Sequence, residues 1–459
     1  MTDVVEDAAP DRGVKRELRR MRKAQRLRNR ELILLLFSIV LTAAAFVLVQ
    51  FGAIERIDPP VLWFVGAMCV LAIALHVVLR IRASQADPFL VPVSLLLTGL
   101  GTAMIYRIDL AMDTNAGEHQ LMYATLSIVL AIVVVWFLAN YRVLFRYTYI
   151  FGFVGIILLI LPFIPFLNGG GNATVWISIA GFNFQPGEIA KICLAIFFAG
   201  YLVRTRESLA STGKRILGFT FPRAREFGPL LVVWLISMVI IVAQRDLGTG
   251  MLIFGMFVAM LYVATGKTGW VLIGVGLAAA GAVAATFVMP YVHNRFNAWI
   301  NPFDEALYNA PTGGSFQLVN GLFGLAHGGM FGTGLGQGRP HLTPVANSDY
   351  IIPSLGEELG LVGLFAIFAL YLVFVSRGAH IGVAGQDDFG KLLSVGLAFT
   401  LALQVFIMVG GVTRVIPLTG LTTPFLAAGG SSLVANWLIV AILLRVSDAV
   451  RRQPRAVIG

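Results

Sequence analysis

The chain has 459 residues, 58% of them hydrophobic and only 13% charged, with a mean hydropathy of +0.83. Soluble domains average about 45–50% apolar and about 25% charged, so a water-soluble domain is excluded, and so is a disordered chain. The net charge of +10 is no nucleic-acid signal, because it gathers in residues 12–30, RGVKRELRRMRKAQRLRNR, which carry ten Lys/Arg ahead of the first apolar run. Cys69 and Cys193 lie inside apolar stretches and provide neither a disulfide framework nor a Cys-based metal site.

A basic cluster before a membrane segment reads as a cytoplasmic anchor, with contact to anionic lipid as one option and a solvated tail as the plainer one. A cleavable signal peptide is not expected: the basic region is too long, and Leu32 onward is a full span. About 20 apolar residues cross a bilayer. The sequence predicts twelve such spans: Leu32–Ile54, Val61–Leu79, Pro88–Tyr106, Gln120–Ala139, Val143–Phe166, Gln185–Val203, Phe227–Ala243, Leu247–Ala264, Gly269–Val292, Glu357–Val375, Phe389–Gly410 and Pro424–Val446. The expected fold is therefore an all-α polytopic membrane protein. Its organisation is a basic cytoplasmic tail (1–31), a membrane domain (32–446) with a large extracellular loop at 292–352, and a cytoplasmic C-terminal tail (447–459). With the N-terminus inside, the inner segments and the span ends that border them hold 27 of the 34 Lys/Arg and the outer ones six, the asymmetry that the positive-inside rule requires.

Four segments on the predicted outer face are richer in Gly, Pro and polar residues than ordinary connections: Asn168–Gly187, Gln244–Thr249, His293–Ile352 and Gly411–Thr423. Such loops commonly carry function. In the first, Pro186 opens a helix at a position where its missing N–H costs nothing. Glu188 and Lys191 follow on one helical face. Charges within a span cost about 2.5–3.5 kcal/mol each on insertion scales, so the two face protein or water, either as functional groups or as a self-neutralising structural pair. In the second, Asp246 precedes a helix, where capping of free N–H groups is its strongest role.

The third segment holds Trp299-Ile300-Asn301-Pro302-Phe303-Asp304-Glu305, then an apolar stretch from Phe316 and Gln317 to Met330, then GTGLGQG at 332–338 and Asp349 in SDY. The alternating glycines are no dinucleotide fingerprint, since no strand precedes them; they indicate backbone that approaches a helix or a substrate closely. Gly266-Lys267-Thr268 lacks the upstream glycine of a phosphate-binding loop. In the fourth segment Arg414 stands among Gly and Pro, placed either for a phosphate or as an interfacial arginine. His293, His327 and His341 lack metal-ligand spacing.

Taken in order, FQPGEIAK, QRDLGTG, GTGLGQG before SDY and EELGLVG, and PLTGLTTPF…GGSS resemble the SEDS (shape, elongation, division, sporulation) family over roughly 168–446. GGVTRVIPLTGLTTPF is more similar to the RodA-like than to the FtsW-like branch, and two spans ahead of the family's usual ten suggest an actinobacterial type. The resemblance implies an inverting glycosyltransferase that polymerises lipid II on the outer face of the cytoplasmic membrane during elongation, with a class B penicillin-binding transpeptidase as partner. Inversion needs one general base and no covalent intermediate. Arg/Lys or a divalent cation (Mg or Mn) would neutralise the leaving pyrophosphate, and no organic cofactor is expected.

In the family the base is an aspartate within a pattern like NPxxDPxGxGYQ. Counted back from Phe316-Gln317 that position falls on Ala310, and counted forward from Asn301-Pro302 it falls on Glu305 beside Asp304. An insertion of Ala306-Leu307-Tyr308-Asn309-Ala310 separates the halves. Asp304 is the first candidate for the base and for a metal contact, Glu305 the second; a solvated turn acid is the plain alternative. Glu188, Lys191, Arg414, Gln317, Asp246, Asp349 and Trp176 are the candidate substrate-binding residues. Gly187 stands where the family has serine, and Val175 where it has an arginine before Trp176. A lipid II flippase, a non-catalytic cell-wall scaffold and a division-type paralogue are the alternatives. The flippase is disfavoured by the absence of a convincing internal repeat and by polar motifs gathered on one face.

Overall fold

The structure, a computed structural model, describes residues 12–170, 174–179, 182–210, 215–216, 219–220, 224–310 and 314–452. Residues 1–11 and 453–459 of the two predicted tails, and 311–313 of the large loop, lie outside it, as does part of the basic 204–225 connection. The helices are α1 (Arg12–Ile54), α2 (Pro60–Arg82), α3 (Leu90–Met112), α4 (Ala116–Phe137), α5 (Arg142–Arg146), α6 (Thr148–Ile160), α7 (Pro186–Ala210) and α8 (Ala224–Ala243). After them come α9 (Leu247–Thr265), α10 (Gly269–Val288), α11 (Pro290–Ile300), α12 (Glu305–Tyr308), α13 (Phe316–Gly328), α14 (Ile351–Ala384), α15 (Asp388–Val412) and α16 (Gly430–Arg452). A short antiparallel hairpin, β1 (Ile177–Ile179) with β2 (Phe182–Phe184), precedes α7.

Ten helices among the described residues are long and apolar enough to cross a membrane: α1–α4, α7, α9, α10 and α14–α16. The other two predicted spans are shorter apolar helices, Thr148–Phe163 and Gly228–Ala243. Tyr147 leaves helical geometry and splits α5 from α6, Pro162 and Pro165 stop α6 from continuing, and Pro229 sits near the start of α8. The predicted span Glu357–Val375 is also corrected: α14 runs from Ile351 to Ala384, with a break at Gly360 (φ 70°, ψ −175°). In the interior, α3, α7 and α16 are mostly buried, whereas α10 is exposed along nearly its whole length, as a lipid-facing helix is.

The boundary at residues 31/32 does not exist as a structural break, because α1 is continuous from Arg12. The last turn of the basic segment is packed rather than solvated: Arg28 and Glu31 are buried and paired with each other. Glu31 also meets the Nδ1 of His76 in α2 at 3.0 Å, and Arg28 donates to the Ala86 carbonyl. The end of α16 reaches the same place. Arg451 donates to the Ala86 carbonyl at 3.2 Å and to Asp87 at 2.5 Å, and Arg377, late in α14, meets Asp87 at 3.1 Å. The beginning of the first span and the end of the last therefore share one face, as an even number of crossings demands.

On the opposite face the large loop is ordered around the broken start of α14. Thr333 and Gly334 donate their N–H groups to the carbonyls of Glu357 and Glu358, both at 3.0 Å. Gly332, Gly334 and Gly336 all have positive φ, and a Cβ on Gly332 would strike the Glu358 carbonyl. Buried Glu358 receives Arg107 of α3 at 3.0 Å and the Gly336 N–H at 2.8 Å. The alternating glycines thus serve backbone packed against helices α1 and α14.

Candidate active site

All four polar segments meet on the face opposite the chain ends, tied mostly by backbone bonds. Thr174 donates its N–H to the Gln244 carbonyl at 3.2 Å, joining the first to the second. Gln185 donates its N–H to Ser431 Oγ at 2.8 Å, beside the fourth. Ala428 donates to the Asn347 carbonyl at 2.7 Å, linking the fourth region to the third. Residues far apart in sequence are thereby held around one patch.

Within it, α7 begins at Pro186 and carries Glu188 and Lys191 into the interior, both buried. Lys191 Nζ donates to Glu188 Oε2 at 2.6 Å and to Gln404 Oε1 of α15 at 3.0 Å. Gln404 passes the chain on, donating to the Thr422 carbonyl at 2.8 Å, and Thr422 Oγ1 donates to Ser432 Oγ at 2.8 Å. The ammonium bonds to both Glu188 and Gln404, so this pair organises α7, α15 and the 422–432 turn.

Next to it stand two acids and an arginine. Asp246 caps α9, accepting the Thr249 N–H at 3.0 Å, and lies 3.5 Å from Gln185 Nε2. Burial raises its carboxyl, against the Thr249 hydrogen bond; nearby Glu188 raises it further and Arg295 lowers it. Burial also pushes the Asp349 carboxyl up to about 6, against the pull of the same Arg295. Arg295, from α11, donates to the carbonyls of Leu418 and Thr419 at 3.4 and 3.1 Å. Gly420 (φ +78°) lies against both groups: a Cβ there would sit 3.7 Å from Arg295 Nη2 and 3.9 Å from Asp349 Oδ2. The Arg295 guanidinium thus lies among two carboxyls whose charged forms burial disfavours.

Each of the other sequence candidates has its own local setting. Arg414 donates to the carbonyls of Trp299 and Ile300 at 2.8 and 2.7 Å, while Trp299 Nε1 returns a bond to the Arg414 carbonyl at 3.1 Å. Its charge closes the C-terminus of α11, a favourable place for a cation, rather than an open phosphate pocket. Asp304 and Glu305 are exposed. Asp304 caps α12, with Oδ1 accepting the Leu307 N–H at 3.1 Å. Gln317 lies half-buried in the first turn of α13, and Trp176 half-buried where the β1 hairpin begins. Among the described residues, no three His, Cys, Asp or Glu side chains form a group that could hold a metal. Sequence reasoning missed Arg295 and Gln404; the signal for Arg295 was a lone arginine in the HNRFNAW stretch that opens the large loop.

A family profile described as "Cell cycle protein" (FtsW/RodA/SpoVE) matches residues 88–452. The protein named peptidoglycan glycosyltransferase RodA from Mycobacterium tuberculosis (strain ATCC 25618 / H37Rv) is 44% identical over 437 residues, 93% of this chain and 92% of that one. The RodA of Mycobacterium leprae is 42% identical over 440 residues, 94% and 92% of the two chains. Stage V sporulation protein E of Bacillus subtilis is 30% identical over 378 residues, 80% and 98% of the two. Among solved structures, a chain described under coordination of polymerization and crosslinking by a peptidoglycan synthase complex matches with a TM-score of 0.64 at 23% identity, over 80% of this chain and 99% of that one. Thermus thermophilus RodA matches with a TM-score of 0.54 at 22% identity, over 80% and 98%. The mycobacterial overlap reaches beyond the profile into α1 and α2, and by sequence and fold together this chain belongs to the FtsW/RodA/SpoVE family.

Proposed function

We propose that the chain is a peptidoglycan glycosyltransferase that polymerises lipid II during cell elongation. It is read as a multi-pass protein of the cytoplasmic membrane, with both chain ends inside and the polar patch outside. The observation that carries this reading is the 44% identity, over 93% of the chain, to relatives named for that activity. The inward orientation of the chain ends is supported by the Arg28, Arg82, Arg377, Arg445 and Arg451 cluster there.

In the proposed reaction an acceptor sugar hydroxyl attacks the anomeric carbon of the donor. The carbon–oxygen bond to the lipid pyrophosphate breaks, and the hydroxyl proton passes to a base. Asp304 is the proposed base with Glu305 beside it: both are exposed, and one Asp304 oxygen is free of its capping bond. Arg295 takes the role expected of Arg414, because it lies beside Asp349 and Gly420 while Arg414 is held by carbonyls. Lys191 and Glu188 hold the floor of the site, and Gln317, Asp246 and Trp176 are assigned to its rim. A divalent cation (Mg or Mn) arriving with the pyrophosphate would be met by Asp304 and would supply Lewis acidity to the leaving phosphate, and Glu305 would then be the acid left to act as base. A class B penicillin-binding transpeptidase is the proposed partner, supported by the fold match to a chain of a peptidoglycan synthase complex.

The test is reconstitution of purified protein with that partner, fluorescent lipid II and Mg or Mn. Glycan ladders are expected. Their absence, together with lipid II movement across sealed vesicles, would replace polymerisation with transport.

A further inference from the structure

The face that carries both chain ends contains a cleft of about 140 Å3 between α1, the end of α14 and the end of α16. About 10–15 Å3 of such water-reachable space holds one water, so the cleft is large enough for a phosphate group. Its basic lining is Lys23, His380 and Arg451, and its apolar flank includes Leu27 and Ile381. Nearby acids are already committed: Asp87 to Arg377 and Arg451, and Asp448 to Arg452. Among the described residues, Lys23 and His380 have no acidic partner. Ser447 also lines the cleft, 1% exposed, and its buried hydroxyl has no hydrogen-bond partner. A buried orphan hydroxyl is unusual, and this one belongs to a residue of the cleft lining.

We propose that this cleft binds the phosphate of an anionic phospholipid, held by Lys23, His380 and Ser447, with the lipid chains against Leu27 and Ile381. The source is a lipid rather than free phosphate because the cleft has an apolar side and lies a turn or two before α1 becomes uniformly apolar at Leu32. Phosphate there satisfies the Ser447 hydroxyl, neutralises unpaired charge and joins the first span to the last. The basic helix then has a specific ligand as well as diffuse attraction to the surface.

The test uses the full chain in detergent, titrated with dioctanoyl phosphatidylglycerol, dioctanoyl phosphatidylcholine or inorganic phosphate, with binding read by native mass spectrometry and melting temperature. Saturable binding of the glycerol lipid is expected. The combined Lys23→Ala and His380→Ala variant should weaken it at least fivefold. Arg22→Ala with Arg26→Ala removes at least as much charge from exposed positions outside the cleft and should leave it within twofold. Equal loss in both pairs would reduce the effect to general electrostatics and overturn the site. Inorganic phosphate as effective as the lipid, or equal binding of phosphatidylcholine, would overturn the anionic-lipid assignment. All four side chains are exposed, so the variants are expected to fold, and the melting curve without lipid checks it.

Discussion

Gly52 of α1 and Gly336 of the large loop meet backbone to backbone. A Cβ on Gly336 would lie 2.6 Å from the Val49 carbonyl oxygen and 2.9 Å from the Ala53 nitrogen, and Gln337 Nε2 donates to the Gly52 carbonyl at 3.2 Å. The family profile starts at residue 88, so a helix outside the family core braces a loop that belongs to it. Gly336→Ala meets this contact and a positive φ of 84° together. A loss of about 1–3 kcal/mol is expected, read by thermal unfolding and by faster proteolysis within 332–339. Gly52→Ala should reproduce the proteolysis without the backbone strain.

Lys191 and Glu188 separate stability from chemistry. Lys191→Met leaves a buried carboxylate unpaired, which costs about 3–5 kcal/mol, and should lower the melting temperature steeply. Adding Glu188→Gln should restore most of it, since a neutral pair removes the uncompensated charge. If the pair only holds α7 to α15, glycan synthesis returns with stability; if its charges serve the substrate, activity stays lost in the restored protein.

Much of this architecture was legible in the sequence because hydrophobic length and Lys/Arg asymmetry are chain-local signals. Pro186, Asp246 and the alternating glycines were readable for the same reason, each obeying a local rule of helix starts or backbone approach. What was not legible depends on distance in space. Nothing local distinguishes Arg414, spent on the Trp299 and Ile300 carbonyls, from Arg295, which faces Asp349. Likewise the basic segment read as a tail because Glu31 and Arg28 find His76 and Ala86 only after folding.

Asp349 gives the fold a pH dependence. Burial pushes its carboxyl up to about 6 in the folded protein, against about 3.9 unfolded. The folded state holds the proton more tightly, so wild-type stability falls as pH rises from about 4 to 6 and is level above that. Asp349→Asn cannot ionise. Its melting temperature should gain on the wild type across that window and hold the gain at pH 7.5. Arg295→Gln removes the opposing charge and should move the wild-type transition above pH 6. A parallel pair of wild-type and D349N curves would show that Asp349 ionises freely.

Asp304 can be tested as base and as cap separately, because asparagine caps helices about as well as aspartate but cannot accept a proton at neutral pH. Asp304→Asn should keep the Leu307 N–H bond and the melting temperature, yet cut glycan synthesis about 10²–10⁴-fold, the usual worth of a general base. Asp304→Ala should lose the same activity and in addition about 1 kcal/mol of cap energy, felt locally in α12. Glu305→Gln reads the neighbour alone. Full activity in D304N with loss in E305Q would move the base by one residue. Full activity in the doubly substituted protein would remove both acids from the reaction and leave Asp349, whose carboxyl burial pushes up to about 6, and Asp246, which burial also raises, as the carboxylates of the patch to test next.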